Sequence, residues 1–115
     1  FWKICRPEGY MKIRTASEIV YSLYRMELQE NRILFPCNRR LEEFVKSAPD
    51  QPEHMVEYCE EFCRTLEDEA VDKAVETWMN WTKYDYPKDT AICQSRYCAD
   101  FEQWWREPRP LIAEW

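Results

Sequence analysis

The stretch MVEYCEEFCRTL, residues 55–66, decides the fold class of this chain. Its apolar residues recur every three or four positions, which is the period of an amphipathic α-helix. Cys59 and Cys63 are four residues apart, so they share one face of that helix, one turn from each other. The pattern predicts an all-α fold in which cysteines on helices link neighbouring elements.

The helical pattern continues on both sides of this stretch. Upstream, Asp50-Gln51-Pro52-Glu53 has the acidic cap, the early proline and the third-position glutamate of a helix start. Downstream, alanines and tryptophans extend the apolar face almost to Thr82. We therefore expect one long central helix of about 30 residues, roughly 45 Å if unbroken. A bend at the acidic run Glu67-Asp68-Glu69 is the alternative.

Shorter helices are expected before the long one. Thr15-x-x-Glu18 fits a capping box, so the first helix should begin at Thr15 and end near Asn31. Residues 33–36 should be extended, because a proline disfavours helical geometry at the residue before it. Asn38 then caps a second helix.

The apolar stripe of that second helix is Leu41, Phe44, Val45 and Ala48, and Pro49 stops it. A last helix is expected over residues 89–106, followed by an extended, proline-containing tail. The chain is thus predicted to be a single small disulfide-stabilised helical domain, residues 1–115, of about four helices with one long central helix and extended termini.

Composition and charge restrict the classes of function. Gly9 is the only glycine, which disfavours phosphate-binding glycine loops and hairpin-rich sheets. The net charge of −6 argues against nucleic-acid binding, which needs a basic surface. Apolar runs such as Ile33-Leu34-Phe35 are far shorter than a membrane span, so we expect no transmembrane helix and at most a peripheral membrane association. The chain begins Phe1-Trp2-Lys3, without Met, which indicates a processed chain or a fragment.

The six cysteines indicate an oxidising compartment, because reduced cytosolic proteins carry fewer. Cys37 and Cys63 each lie 13 residues from Asp50, so two antiparallel helices of equal rise would bring them level. We therefore expect a Cys37–Cys63 disulfide, with Cys37–Cys59 as the next choice. The pairing of Cys93 and Cys98 stays open: either the long helix breaks, or these two cysteines pair elsewhere, with Cys5 or with each other.

The sequence contains few of the residue patterns that are typical of active sites and metal sites. His54 is the only histidine and has no evident partner, so a surface histidine is the favoured interpretation. Zinc bound by Cys59, Cys63, Cys93 and Cys98 would lack the two-residue spacing of zinc knuckles. The carboxylates of the long helix fall on its polar side, where solvation is expected. They are Glu57, Glu60, Glu61, Glu67, Asp68, Glu69, Asp72 and Glu76. We expect no catalytic residue, no bound cofactor and no metal.

Aromatic residues are the one positive signal of function. Six tryptophans exceed what a helical core of this size needs, and aromatic anchors are enriched at protein interfaces. The residues predicted to bind a protein partner lie near the two termini. They are Trp2, Trp104, Trp105, Leu111, Ile112 and Trp115.

Asn80-Trp81-Thr82 is an N-glycosylation sequon, which matters only on the secretory route.

The Cys59-x3-Cys63 pair resembles the cysteine pairs of the small import chaperones of the mitochondrial intermembrane space, which are helical hairpins joined by two disulfides. The second pair, Cys93-x4-Cys98, and the 29 residues between the pairs depart from that pattern. We expect a non-enzymatic accessory subunit of a larger protein assembly, on the intermembrane-space side of a mitochondrial membrane complex. The alternative is a secreted helical binding module, such as an effector, a receptor ectodomain fragment or a ligand carrier.

Overall fold

Every regular element between residues 2 and 85 is helical in the computed structural model, which describes these residues apart from the side chain of Ile4. The all-α prediction is confirmed for this part of the chain. The helix predicted over residues 89–106 lies outside it. The elements in chain order are α1 (Trp2–Cys5), α2 (Gly9–Glu30), a 3-10 turn (Asn38–Arg40), α3 (Leu41–Lys46), α4 (Met55–Thr65) and α5 (Asp68–Trp81).

Helix α2, with 22 residues, is the longest described element and begins earlier than predicted. It starts at Gly9, whose φ of 54° is one that glycine adopts readily. Thr15 is only 4% exposed and lies inside the helix, so the predicted capping box is wrong. Glu18 instead pairs with Arg14 one turn back, at 2.8 Å. The predicted end near Asn31 is confirmed, since Asn31 follows the last helical residue.

The segment after α2 folds largely as predicted. Residues 33–36 are not helical, and the chain re-enters helical geometry through the 3-10 turn that starts at Asn38. Asn38 makes no capping contact with its side chain, because the residue at the cap position is Cys37. Leu41, Val45 and Ala48 are buried, as their spacing predicts. This short helix packs against α2 and α4.

The predicted long central helix is broken into two. α4 ends at Thr65 and α5 begins at Asp68. Between them Leu66 takes a left-handed conformation, with φ of 55°, and donates its amide hydrogen to the carbonyl of Phe62 at 2.8 Å. This is the αL helix end that glycine usually forms, here made by a leucine. The alternative of a bend at the acidic run is therefore the correct one, and α5 packs against α4.

The core lies between α2, α3 and the α4–α5 pair. Cys59 and Phe62 of α4 are completely buried, and α5 contributes Val71, Ala74 and Trp78. Ala74 and Trp78 are buried as their spacing predicts, whereas Val71 was not among the predicted apolar positions. The residues up to Lys83 form one compact unit, while the single-domain organisation of the whole chain stays a prediction.

The N-terminus is not extended as predicted, because α1 docks on the start of α5. Trp2 is 7% exposed, and its ring meets Phe62 edge to face with centroids 5.0 Å apart. Its indole N–H donates to Asp68 Oδ1 at 2.8 Å. A second link joins Lys3 to Asp72, at 2.7 Å. Trp2 thus connects two elements that are 66 residues apart in the chain.

A polar junction joins the ends of α2 and α5 to the loop before α4. The side-chain amide of Asn31 donates to the carbonyls of Asp50 (2.6 Å) and Glu27 (2.9 Å), and the Asp50 amide hydrogen returns to Asn31 Oδ1 (3.0 Å). The carboxylate of Asp50 accepts from Trp81 Nε1 (3.0 Å) and from Lys83 Nζ (2.9 Å). We call this set the Asn31–Asp50 junction.

Replacing Trp2 should show how far the first turn supports the fold. Trp2→Ala removes a buried ring and should lower the free energy of unfolding by about 3–5 kcal/mol. Trp2→Phe keeps a ring against Phe62 but loses the hydrogen bond to Asp68, and should cost about 1–2 kcal/mol. Urea unfolding followed by circular dichroism measures both. A loss below about 1 kcal/mol for Trp2→Ala would mean that α1 does not belong to the core.

Candidate functional site

Four of the six cysteines lie in the described part of the chain, and none of the four is in a disulfide. The structure therefore does not show the expected Cys37–Cys63 bridge, which stays a prediction, as do the pairings of Cys5. Equal spacing from Asp50 brings the two cysteines level only if helix flanks Asp50 on both sides, and residues 47–54 form no helix. Cys93 and Cys98 lie outside the described residues.

The two cysteines of α4 have different surroundings although they share a face. Cys59 is completely buried, whereas Cys63 is exposed to solvent. Burial raises the pKa of Cys59 to about 12. A hydrogen bond with Tyr24 lowers this pKa, but by less than burial raises it. Partial burial also raises the pKa of Cys63, with the Glu42 carboxylate adding to it. Since the thiolate is the reactive form, both thiols are poor nucleophiles at neutral pH.

His54 lies at the surface, as predicted, with a left-handed backbone (φ 58°) just before α4. Its Nδ1 is 2.8 Å from Glu57 Oε2, and its Nε2 is 3.4 Å from Glu53 Oε1. Open hollows of 490 and 370 Å³ adjoin it on either side. This exposed arrangement holds no buried acid or base and no second histidine, and among the described residues no group of three or more His, Cys, Asp or Glu could hold a metal ion.

The predicted polar side of the central segment is confirmed as a solvated surface. Seven of its eight acidic side chains are exposed, and Asp72 is half-buried beside Lys3. None of the described helices combines the length and the hydropathy that crossing a bilayer requires.

The residues predicted to bind a partner are not brought together by the described part of the chain. Trp2 is the only one that lies within it, and it is a core residue, because Phe62 and Asp68 satisfy its ring and its N–H. Its assignment to an exposed partner surface is therefore corrected. Trp104, Trp105, Leu111, Ile112 and Trp115 lie outside the described residues.

Exposed apolar side chains that were not predicted from the sequence lie along the outer face of α2. Tyr10 is 71% exposed and Ile13 is 62% exposed. Tyr21 lies three turns after Tyr10 on the same face, since 11 residues are about three helical turns. The 33–36 connection brings Phe35 against Tyr21, edge to face at 5.9 Å. We call Tyr10, Ile13, Tyr21 and Phe35 the α2 ridge.

A basic side chain is fixed on this ridge. The guanidinium of Arg25 lies 5.4 Å from the Tyr21 ring centre and 5.2 Å from that of Phe35. Arg14, next to Ile13, is held by Glu18. Residues 1–40 carry eight basic and four acidic residues, whereas residues 41–85 carry four basic and thirteen acidic ones. The ridge therefore belongs to the basic portion of the described sequence, whereas α4 and α5 belong to the acidic portion.

The ridge was overlooked because the helix was expected to start at Thr15, after Tyr10 and Ile13. A signal was present, since Tyr10 and Ile13 stand three apart and Tyr21 follows at helical spacing. The contact of Phe35 with Tyr21 had no such signal, because it depends on how the connection folds back over α2.

Comparison with known proteins identifies no relative. No protein-family model matches the chain, no curated protein sequence is significantly similar to it, and no solved structure shares its fold at a significant level.

Thiol labelling of the reduced native protein should follow burial and pKa. With N-ethylmaleimide at about pH 7.5, we expect the exposed Cys5 and Cys37 to react first, Cys63 more slowly, and Cys59 only after unfolding in urea. Peptide mass mapping over time measures the order. Labelling of Cys59 as fast as Cys37 would contradict the packing around Tyr24. Recovery of a linked Cys37–Cys63 peptide without reductant would instead establish the expected bridge.

Proposed function

We propose that this chain is a non-enzymatic accessory subunit that binds a protein partner through the α2 ridge. The observation that carries the proposal is the exposure of Tyr10 and Ile13 on the outer side of a helix whose other side is anchored in the core. Leaving these side chains in water is unfavourable, and burying each one fully is worth roughly 1.5–3 kcal/mol. Aromatic residues and arginine, which the ridge and Arg25 provide, are enriched at the centres of protein interfaces.

The partner is expected to present an acidic rim around an apolar groove. Arg25 is already ordered by two rings, so pairing it with a carboxylate costs little side-chain entropy. Arg14 on the same face is already paired with Glu18, which leaves Arg25 as the basic side chain that is free to pair with a partner carboxylate. The exposed carboxylates of α4 and α5 would repel such a partner from their own surface, which favours an approach to the ridge.

The setting that we propose is the intermembrane-space side of a mitochondrial membrane complex, in an oxidising compartment. Its support is the Cys59-x3-Cys63 pair on a helix, the excess of acidic residues and the solvated, non-catalytic surroundings of His54. The tryptophans of residues 104–115 would extend the contact with other subunits. This assignment makes the chain a structural component that associates at most peripherally with the membrane.

Two surface substitutions test the partner surface. Tyr10→Ala combined with Ile13→Asp should weaken assembly by about 100-fold or more, because both apolar anchors are lost. Native sizing of the tagged protein in cells that normally contain it should show a shift from a large complex to the free subunit. Circular dichroism and melting should remain nearly unchanged, since neither side chain is in the core.

Val75→Asp is the matched control, because it places the same charge at an exposed apolar position of α5. The control should leave the complex intact. A double variant that stays in the complex, or an unmodified protein that is never found in a complex, would refute the proposed surface.

A secreted helical binding module is the second candidate, and one observation favours it. Asn80 of the sequon is exposed near the end of α5. On the secretory route Asn80 should carry a glycan, which Asn80→Gln or Thr82→Ala would abolish and which peptide-N-glycosidase would remove with a mass shift visible by electrophoresis. A protein isolated from its natural source without this glycan would favour the mitochondrial setting.

A further inference from the structure

Glu27 is a buried carboxyl group that neither the proposed partner surface nor the other described contacts use. It is 0% exposed, and neither of its carboxylate oxygens has a hydrogen-bond partner. It lies on the inner face of α2, where Leu23 and Leu28 are also buried. An ionised carboxylate without a partner is very costly in such a place, and the protonated form is far less so.

The groups around Glu27 increase the preference for the neutral form. Burial is the main cause that raises its pKa to about 7, and the negative charge of Asp50, from the loop before α4, adds to it. From α4 the titratable neighbour is Cys59, whose own pKa is raised in part by Glu27. The Lys83 ammonium pairs with Asp50 at 2.9 Å and not with the Glu27 carboxyl group, which has no hydrogen-bond partner.

Glu27 is also part of the Asn31–Asp50 junction through its backbone. Its carbonyl accepts from the Asn31 side chain, which holds Asp50 from both sides. Asp50 in turn holds Trp81 and Lys83. One turn beyond Glu27, Glu30 accepts from the Thr82 hydroxyl and from the Lys83 amide hydrogen. Any movement of this turn of α2 therefore reaches residues 81–83.

We infer that protonated Glu27 keeps this junction closed, and that ionisation of Glu27 opens it and releases residues 81–83 from α2 and from the loop before α4. An ionised Glu27 must move towards water, and the end of α2 is the part that can move, because helix ends open at lower cost than helix centres. We call this pH-dependent closure of the junction by Glu27 the latch. Lys83 is the last residue of the compact unit, so the latch acts where the chain continues to residue 84.

The sign of the pH dependence follows from the direction of the shift. Between the ordinary pKa of a glutamate and about 7, the closed state holds a proton that the open state has lost. Closure is therefore favoured fully at low pH and is lost as the pH rises through 7. From pH 6 to pH 8, this single group should increase the open fraction about tenfold.

Hydrogen exchange of the full chain tests the latch. At each pH, exchange is corrected for the intrinsic rate, and peptides that cover residues 27–33 and 78–83 are compared with those of α4. In the unmodified protein, protection of the first two regions should fall about tenfold between pH 6 and pH 8, while α4 stays protected. In Glu27→Gln, which cannot ionise, protection should be the same at both pH values.

Glu18→Gln is the control, because it neutralises an exposed glutamate of the same helix and should keep the pH dependence of the unmodified protein. An equal pH-dependent loss in Glu27→Gln would overturn the inference. So would a variant whose melting loses its pH dependence without any change at residues 78–83, since Glu27 would then affect overall stability alone. If Glu27→Gln does not fold, a carbon-13 NMR titration of Glu27 in the unmodified protein decides, and a pKa near the ordinary value would overturn the latch.

Discussion

The side-chain amide of Asn31 is the polar constraint that joins the end of α2 to the loop before α4. It binds Asp50 through both the carbonyl and the amide hydrogen of that residue, and it closes on the Glu27 carbonyl at the end of α2. These hydrogen bonds hold the end of α2 and the loop before α4 in fixed positions relative to each other. Because Asp50 also accepts from Trp81 and Lys83, the end of α5 is placed by the same residue. At the opposite end of the unit, Trp2 has the equivalent role, joining α1 to the start of α5.

The distribution of charge and of exposed apolar groups divides the surface into two regions with different properties. The α4–α5 side is acidic and well solvated, and its ion pairs are exposed and contribute little individually. The α2 side carries the apolar ridge and the ordered Arg25. In the proposed complex, the charges would orient the molecule in the field of its partner before contact, and the apolar ridge would then supply the affinity. The non-enzymatic proposal rests on this division and on the exposed, ordinary surroundings of His54.

Much of the fold could be predicted from spacing, and the errors have identifiable physical causes. The helical class, the burial of Leu41 and Val45, and the solvated acidic face follow from periodicity, which is a local property. The break at Leu66 could not be predicted in this way, because a leucine with positive φ is unfavourable by itself and is tolerated only where α5 gains contacts with α4. The start of α2 was misplaced because Thr15 and Glu18 match a capping pattern that a buried helical threonine does not use.

The candidate site was less predictable than the fold. For Glu27 a signal existed, since Ala16, Val20 and Leu23 are spaced so that position 27 is next on the buried stripe, but a glutamate there is normally assigned to the surface. By itself the sequence determined an all-helical, acidic chain with its apolar positions in register, because these depend on residues a few positions apart. Only the tertiary structure decided that Trp2 is a core residue, that Phe35 completes the α2 ridge and that Glu27 is buried beside Asp50. Each of these depends on contacts between residues distant in the chain, whose energies no local pattern records.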